Sequence, residues 1–155
     1  MNFKWNEEEN KNVIRLLEAC RTLVLSTSNE SGEPSIAPVY FSLAEGPALD
    51  FVSKNNTQHI LNLKHHSGVA GAVFQEGHSL TDITGLQMKG EICCLKNQAE
   101  STARKDYLVR FPSLNQNLPL LALFHTIPLF RFTPTWIRMT DHQPTGIRKR
   151  EWTSS

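Results

Sequence analysis

The chain contains no GxGxxG, no GxxxxGK(S/T), no GxSxG and no HExxH. It therefore lacks the sequence signatures of dinucleotide binding, phosphate-loop hydrolysis, nucleophile-elbow hydrolysis and helix-borne zinc catalysis. No apolar run approaches the roughly 20 residues needed to cross a bilayer. The opening MNFKWNEEENKN has none of the apolar core of a secretion signal. Cysteine is scarce and odd in number, at Cys20, Cys93 and Cys94. Cys93 and Cys94 are neighbours on a segment that reads as a strand. Adjacent strand side chains point to opposite faces, so these two neither chelate one metal nor pair readily. A reducing cytoplasm is the expected setting. With a formal net charge of +1, no global field favours nucleic acid or a membrane surface as partner. There is no internal repeat, low-complexity tract or linker.

What the chain does have is 155 residues, 39% apolar and 20% charged, the proportions of one globular domain with a real core. Residues 1–155 are expected to form that domain, with 142–155 as a basic C-terminal tail. Asn6–Arg21 sets acidic residues before apolar Val13, Ile14, Leu16, Leu17 and Cys20, the spacing and charge bias of a helix. TLVLSTS (Thr22–Ser28) and SIAPVYFSLA (Ser35–Ala44) read as strands joined by the turn NESGEP, a hairpin. Pro38 within the second suggests an edge or a bulge. Leu86–Lys96 reads as a strand interrupted at Gly90, a bulge or bend. Asn97–Phe111 reads as a helix stopped by Pro112. Ser113–His125 can hold a short helix, and Ile127–Met139 alternates as a strand with Pro134 at an edge or bend. About six strands with bulges and Gly/Pro turns, and no regular βαβ alternation, favour a small antiparallel barrel with flanking helices.

The stretch Ala48–Gln75 carries the densest chemistry. A buried strand (Leu49, Phe51) leads into a polar turn, a short helix and a strand of small and β-branched residues. Hydroxyls, amides, a lysine and a histidine crowd the turn Ser53–His59, and Thr57 is a plausible helix N-cap. Capping alone accounts for Thr57 as well as anion binding does. His59 and His66 lie seven residues apart, too far to share an ion without outside ligands, so no metal is expected. Ser26 and Ser28 have no visible base partner. Arg148–Arg150 reads as a solvated tail, and Trp136 and Trp152 as core or interface.

The order GEPSIAPVYF, ALDFVS, TQHILNLKHHSGVAGAVF and LQMKGEICCL resembles the pyridoxamine 5′-phosphate oxidase-like FMN-binding split barrels over Arg21–Leu95. QMKGEICCL, ARKDYLVRFP and TDHQPTGIRKREW resemble the YhbP-like proteins of that superfamily. The resemblance implies a mainly β fold, a six-stranded antiparallel split β-barrel with flanking helices. It also implies a homodimer whose subunits share a ligand groove. FMN would lie there for oxidoreductase chemistry, its phosphate on Ser53, Lys54, Thr57, Gln58 and His59 and its ring against Val39 and Tyr40. The oxidase's basic phosphate-holding positions fall on Ala37, Ser42, Gln58 and His59, which leaves Lys54 and His59 as the cations at hand. The alternative is a non-catalytic split-barrel dimer that binds another ligand, haem first, or none. No catalytic acid or base is identifiable in the sequence.

Overall fold

The computed structural model describes residues 3–77, 79, 82–143 and 146–154. Helix α1 (Glu7–Ala19) starts in a capping box: the Asn6 side chain accepts from the Glu9 amide, and the Glu9 carboxylate accepts from the Asn6 amide. Val13, Leu16 and Leu17 recur at helical spacing and bury themselves in the core. The strands β1 (Thr22–Ser28), β2 (Pro34–Leu43), β3 (Leu49–Val52), β4 (Gly68–Gln75), β5 (Thr84–Cys94) and β6 (Leu129–Gln143) pair antiparallel in the order β3-β2-β1-β4-β5-β6. A further pairing of β3 with β6, from Leu49↔Phe132 to Val52↔Leu129, closes them into a barrel. Closure gives each of these six strands a partner on both sides, with β2 covered by β3 only at Phe41–Leu43. Leu23, Leu25, Phe41, Phe51, Leu86, Met88, Phe132 and Ile137 are all within 1% of complete burial inside it. Each such side chain contributes about 1.5–3 kcal/mol by leaving water.

The hairpin, the short helix after the turn and the mid-chain helix fall where the sequence places them: α2 (Gln58–Asn62), α3 (Asn97–Arg110), and then α4 (Leu118–Thr126) after a 3-10 turn at Pro112–Gln116. Gly90 does mark a register shift, between Lys89 and Gly90, and Pro134 is its opposite number on β6. Pro38 sits at a local edge of the sheet, as the sequence suggests. It pairs with Val24 of β1, at a level where short β3, which reaches only Phe41–Leu43 of β2, leaves the other side of β2 unpaired. A missing N–H costs little there.

The C-terminal segment departs from the expectation of a solvated tail. Gly146–Thr153 forms a seventh strand, β7, paired with β6 from Gln143↔Gly146 to Trp136↔Thr153. Its inward side chains explain why. Trp152 is buried against Trp5 and donates to Glu9 of α1, and Arg150 is 3.0 Å from Asp141 with both side chains about nine-tenths buried. Pro144, Thr145 and Ser155 of that expected tail lie outside the described residues, as do His78, Leu80 and Thr81 of the Glu76–Gly85 loop.

Candidate functional site

The turn after β3 draws its polar side chains into one knot. The Ser53 amide donates to the Pro128 carbonyl (3.2 Å), which ties the end of β3 to the entrance of β6. Ser53 Oγ lies 2.8 Å from His59 Nε2 and 2.9 Å from Thr57 Oγ1. Thr57 stands at the N-cap position of α2, yet its hydroxyl gives no cap bond and donates instead to the Lys54 carbonyl at 3.0 Å. Ser53 is buried, Thr57 and His59 are half-buried, and Gln58 and Lys54 are exposed. Burial pushes the His59 imidazole pKa down, so the ring is held neutral. The knot is therefore a set of neutral donors and acceptors beside Lys54, which makes no ion pair among the described residues.

A second set of bonds fixes α2. Gln58 donates to the Asn62 side chain at 2.7 Å, and buried Asn62 donates to Thr27 of β1 at 2.9 Å. Asn62 is invisible to motif reasoning, since an amide on a short helix gives no local signal. A cavity of about 650 Å³ bordered by Asn29, Glu30, Gln58, Asn62 and His65 flanks the same helix.

Residues Val39 and Tyr40 come to the same place through register. Phe41 pairs with Phe51, so Tyr40 and Val39 stand level with Val52 and Ser53 just beyond the paired segment. Alternation then separates them. Val39 is half-buried against the core, whereas Tyr40 is 62% exposed. Only Tyr40 offers a surface. Its ring meets Phe111 edge-on at 5.7 Å, and the contacts run on through Tyr107 to Phe124. The Tyr107 phenol, its pKa raised by burial, donates to the Tyr40 carbonyl.

Ala37 is half-buried on β2, and Ser42 is buried with no partner for its hydroxyl among the described residues. Across the sheet Ser42 pairs with Asp50, and Asp50 with Arg131. Arg131 grips the buried Asp50 carboxylate with two bonds of 2.7 and 2.8 Å, so the arginine of this row is already neutralised.

A closed six-stranded antiparallel barrel with a polar turn-helix after its third strand defines a split-barrel protein. Among solved structures, the chain superposes on a haem binding protein from Mycobacterium smegmatis with a TM-score of 0.76, 13% identity and 96% and 59% of the two chains covered. It superposes on a pyridoxamine 5′-phosphate oxidase-related FMN binding protein from Nostoc punctiforme with a TM-score of 0.65, 11% identity and 98% and 91% covered. No protein-family profile matches. Curated relatives are closer in sequence. The UPF0306 protein YhbP of Salmonella paratyphi A is 31% identical over 113 residues, 73% of this chain and 71% of the relative. A UPF0306 protein of Yersinia pestis is 30% identical over 105 residues, 68% of this chain. The match spans 66% of that relative's length. The chain belongs to the UPF0306 family of YhbP proteins.

Proposed function

We propose that this protein is a homodimeric FMN-binding split barrel of oxidoreductase type. The supporting observation is the knot of Ser53, Thr57 and His59 beside Lys54, level with the exposed ring of Tyr40. A flavin offers a phosphate to be bonded and a flat ring to be covered, and donors and aromatic surface stand side by side here. The residues fit the group. Ser53 and Thr57 supply hydroxyls, His59 a ring nitrogen, Gln58 an amide and Lys54 a charge. They fit it modestly, because charged hydrogen bonds are worth about 1.5–3 kcal/mol each and a single lysine replaces several arginines.

Exposed Tyr40 on β2, Val109 on α3 and Leu118 on α4 are the apolar side chains we assign to contact with a second copy, which closes the groove over the ring. Bound FMN would supply hydride or electron transfer. The chain's own part is to hold the phosphate, orient the ring and exclude water.

Freshly purified protein should show the visible bands of oxidised flavin, or should quench flavin fluorescence when titrated with FMN. Replacing Lys54 and His59 together with Ala should weaken FMN binding markedly and leave the dimer intact in light scattering. A colourless wild-type protein that ignores FMN at high micromolar concentration rules the reading out. Unchanged affinity in the double variant removes the turn from the site.

A further inference from the structure

The segment ARKDYLVRFP (Ala103–Pro112) spans the second half of α3 and its exit. Ala103 and Tyr107 form its buried face, and Arg104 and Arg110 are half-buried beside them. Ala103 packs with Leu95 and Leu129, and Val52 adjoins them. Val52 immediately precedes Ser53, and Leu129 immediately follows Pro128, so α3 crosses the strand ends that lead into the turn. Steps of three residues put Arg104, Tyr107 and Arg110 on one side of the helix. Each of the three bonds a backbone carbonyl of another element.

Arg104 serves the turn. It donates to the Phe124 carbonyl at 2.6 Å and to the Ile127 carbonyl at 2.8 Å. Both lie at the C-terminal end of α4, where carbonyls lack helical partners. Glu100 holds the same guanidinium at 2.6 and 3.1 Å. The next carbonyl along the chain, that of Pro128, receives the Ser53 amide. Only Pro128 separates the two bonded carbonyls, and its ring fixes φ. Arg104 thus bears on the knot through one stiff residue.

Tyr107 and Arg110 serve the strand that carries Tyr40. β3 covers β2 only at Phe41–Leu43, and α3 supplies bonds where that cover ends. Tyr107 donates to the Tyr40 carbonyl at 3.3 Å, and Arg110 donates to the Phe41 carbonyl at 3.1 Å. Arg110 also donates to the carbonyls of Leu17, Glu18 and Cys20, which fastens this end of α3 to the end of α1. One helix therefore holds both ends of the candidate site.

We propose that α3 is a brace that sets the span between the Ser53–His59 turn and Tyr40, with Arg104 positioning the turn and Tyr107 positioning the Tyr40 strand. The brace follows from the bonds of the chain itself. That its span matches a flavin's phosphate and ring rests on the FMN reading.

Backbone amide exchange, read residue by residue in the full chain beside FMN and riboflavin affinities, tests the proposal. Arg104→Ala should raise the exchange rate of the Ser53 amide at least about tenfold relative to that of Leu25 in β1, because local opening is read amide by amide. It should also reduce the preference for FMN over riboflavin, which lacks the phosphate, by about tenfold. Tyr107→Phe keeps the ring and loses the hydroxyl. It should leave the Ser53 rate in place and weaken both flavins alike, about threefold. Glu100→Gln is the milder variant if Arg104→Ala fails to fold, and should shift the Ser53-to-Leu25 ratio in the same direction by a smaller factor. A ratio unchanged in Arg104→Ala, or in Glu100→Gln where only that variant folds, makes these residues contributors to general stability and overturns the brace. A loosened Ser53 with an unchanged preference for FMN overturns its role in binding. Wild-type protein that binds neither flavin, with Ser53 still loosened in Arg104→Ala, removes the FMN reading and leaves the brace standing.

Discussion

Gly90 of β5 stands opposite Pro134 of β6 at the one point where their register shifts. A Cβ built on Gly90 would lie 2.8 Å from Pro134 Cα and closer still to the Thr133 carbonyl. Backbone atoms cannot swing aside as a side-chain tip can. Gly90→Ala should therefore cost about 3 kcal/mol, the upper range for an overpacked site, read as a lower denaturation midpoint in urea. Gly68→Ala, with nothing within 4 Å of its Cβ position, is the control and should move the midpoint little. Equal effects of the two would show that the bulge does not depend on this close approach.

The Asp50–Arg131 pair should behave as a buried charge with a single guardian. Asp50 is fully buried, and the Arg131 side chain is 28% exposed. Removing the arginine leaves the carboxylate unpaired, so Arg131→Met should destabilise the fold by about 3 kcal/mol. Replacing both partners, Asp50→Leu with Arg131→Met, should recover much of that loss, because no orphaned charge remains. A double variant as unstable as the sum of the singles would show that packing, and not charge, sets the cost.

Local chemistry made most of the barrel legible in advance. The acidic start of the first helix, the NESGEP turn, the bulge at Gly90 and the Pro112 stop each depend on residues a few positions apart. Closure did not have that advantage. Leu49 and Phe132 pair across some eighty residues, and nothing in either strand names the other. The last strand was read as a tail because GIRKREW carries four charges, yet alternation turns Arg150 and Trp152 inward, where Asp141 and Trp5 receive them. The site was half legible. The crowd of polar residues at Ser53–His59 is a real knot, but the sequence could not show that Thr57 forgoes its cap for the Lys54 carbonyl, that Val39 turns into the core, or that Asn62 anchors the helix.

Asn62 links the turn to the barrel through Thr27, and this gives it an effect on binding without a place in the site. Its loss strands the Thr27 hydroxyl, which is 4% exposed, and frees α2. Asn62→Ala should cost about 1–3 kcal/mol of stability, the penalty for an unsatisfied buried partner. On the FMN reading it should also weaken flavin affinity in folded protein, since the turn then samples other geometries. Thermal denaturation and flavin fluorescence measure the two effects separately. A stability loss with unchanged flavin affinity would detach the phosphate turn from this anchor.

The neutral imidazole of His59 sets the sign of one pH effect. Burial lowers its pKa in the folded chain, so below the ordinary histidine value of about 6.5 the unfolded chain takes up the proton more readily. More protons on the unfolded state means that stability falls as pH falls, starting near the unfolded pKa and continuing until the folded ring is protonated too. An anion at the knot opposes this, because its charge favours the imidazolium that burial disfavours. Urea midpoints measured between pH 7.5 and 5.5 should therefore decline in the free protein and decline less with FMN present. His59→Gln should flatten the decline in the free protein, leaving only the contributions of the other titrating groups. A profile of the same slope in His59→Gln would mean that another group carries the proton, and the knot would then owe its neutrality to nothing that pH can reach.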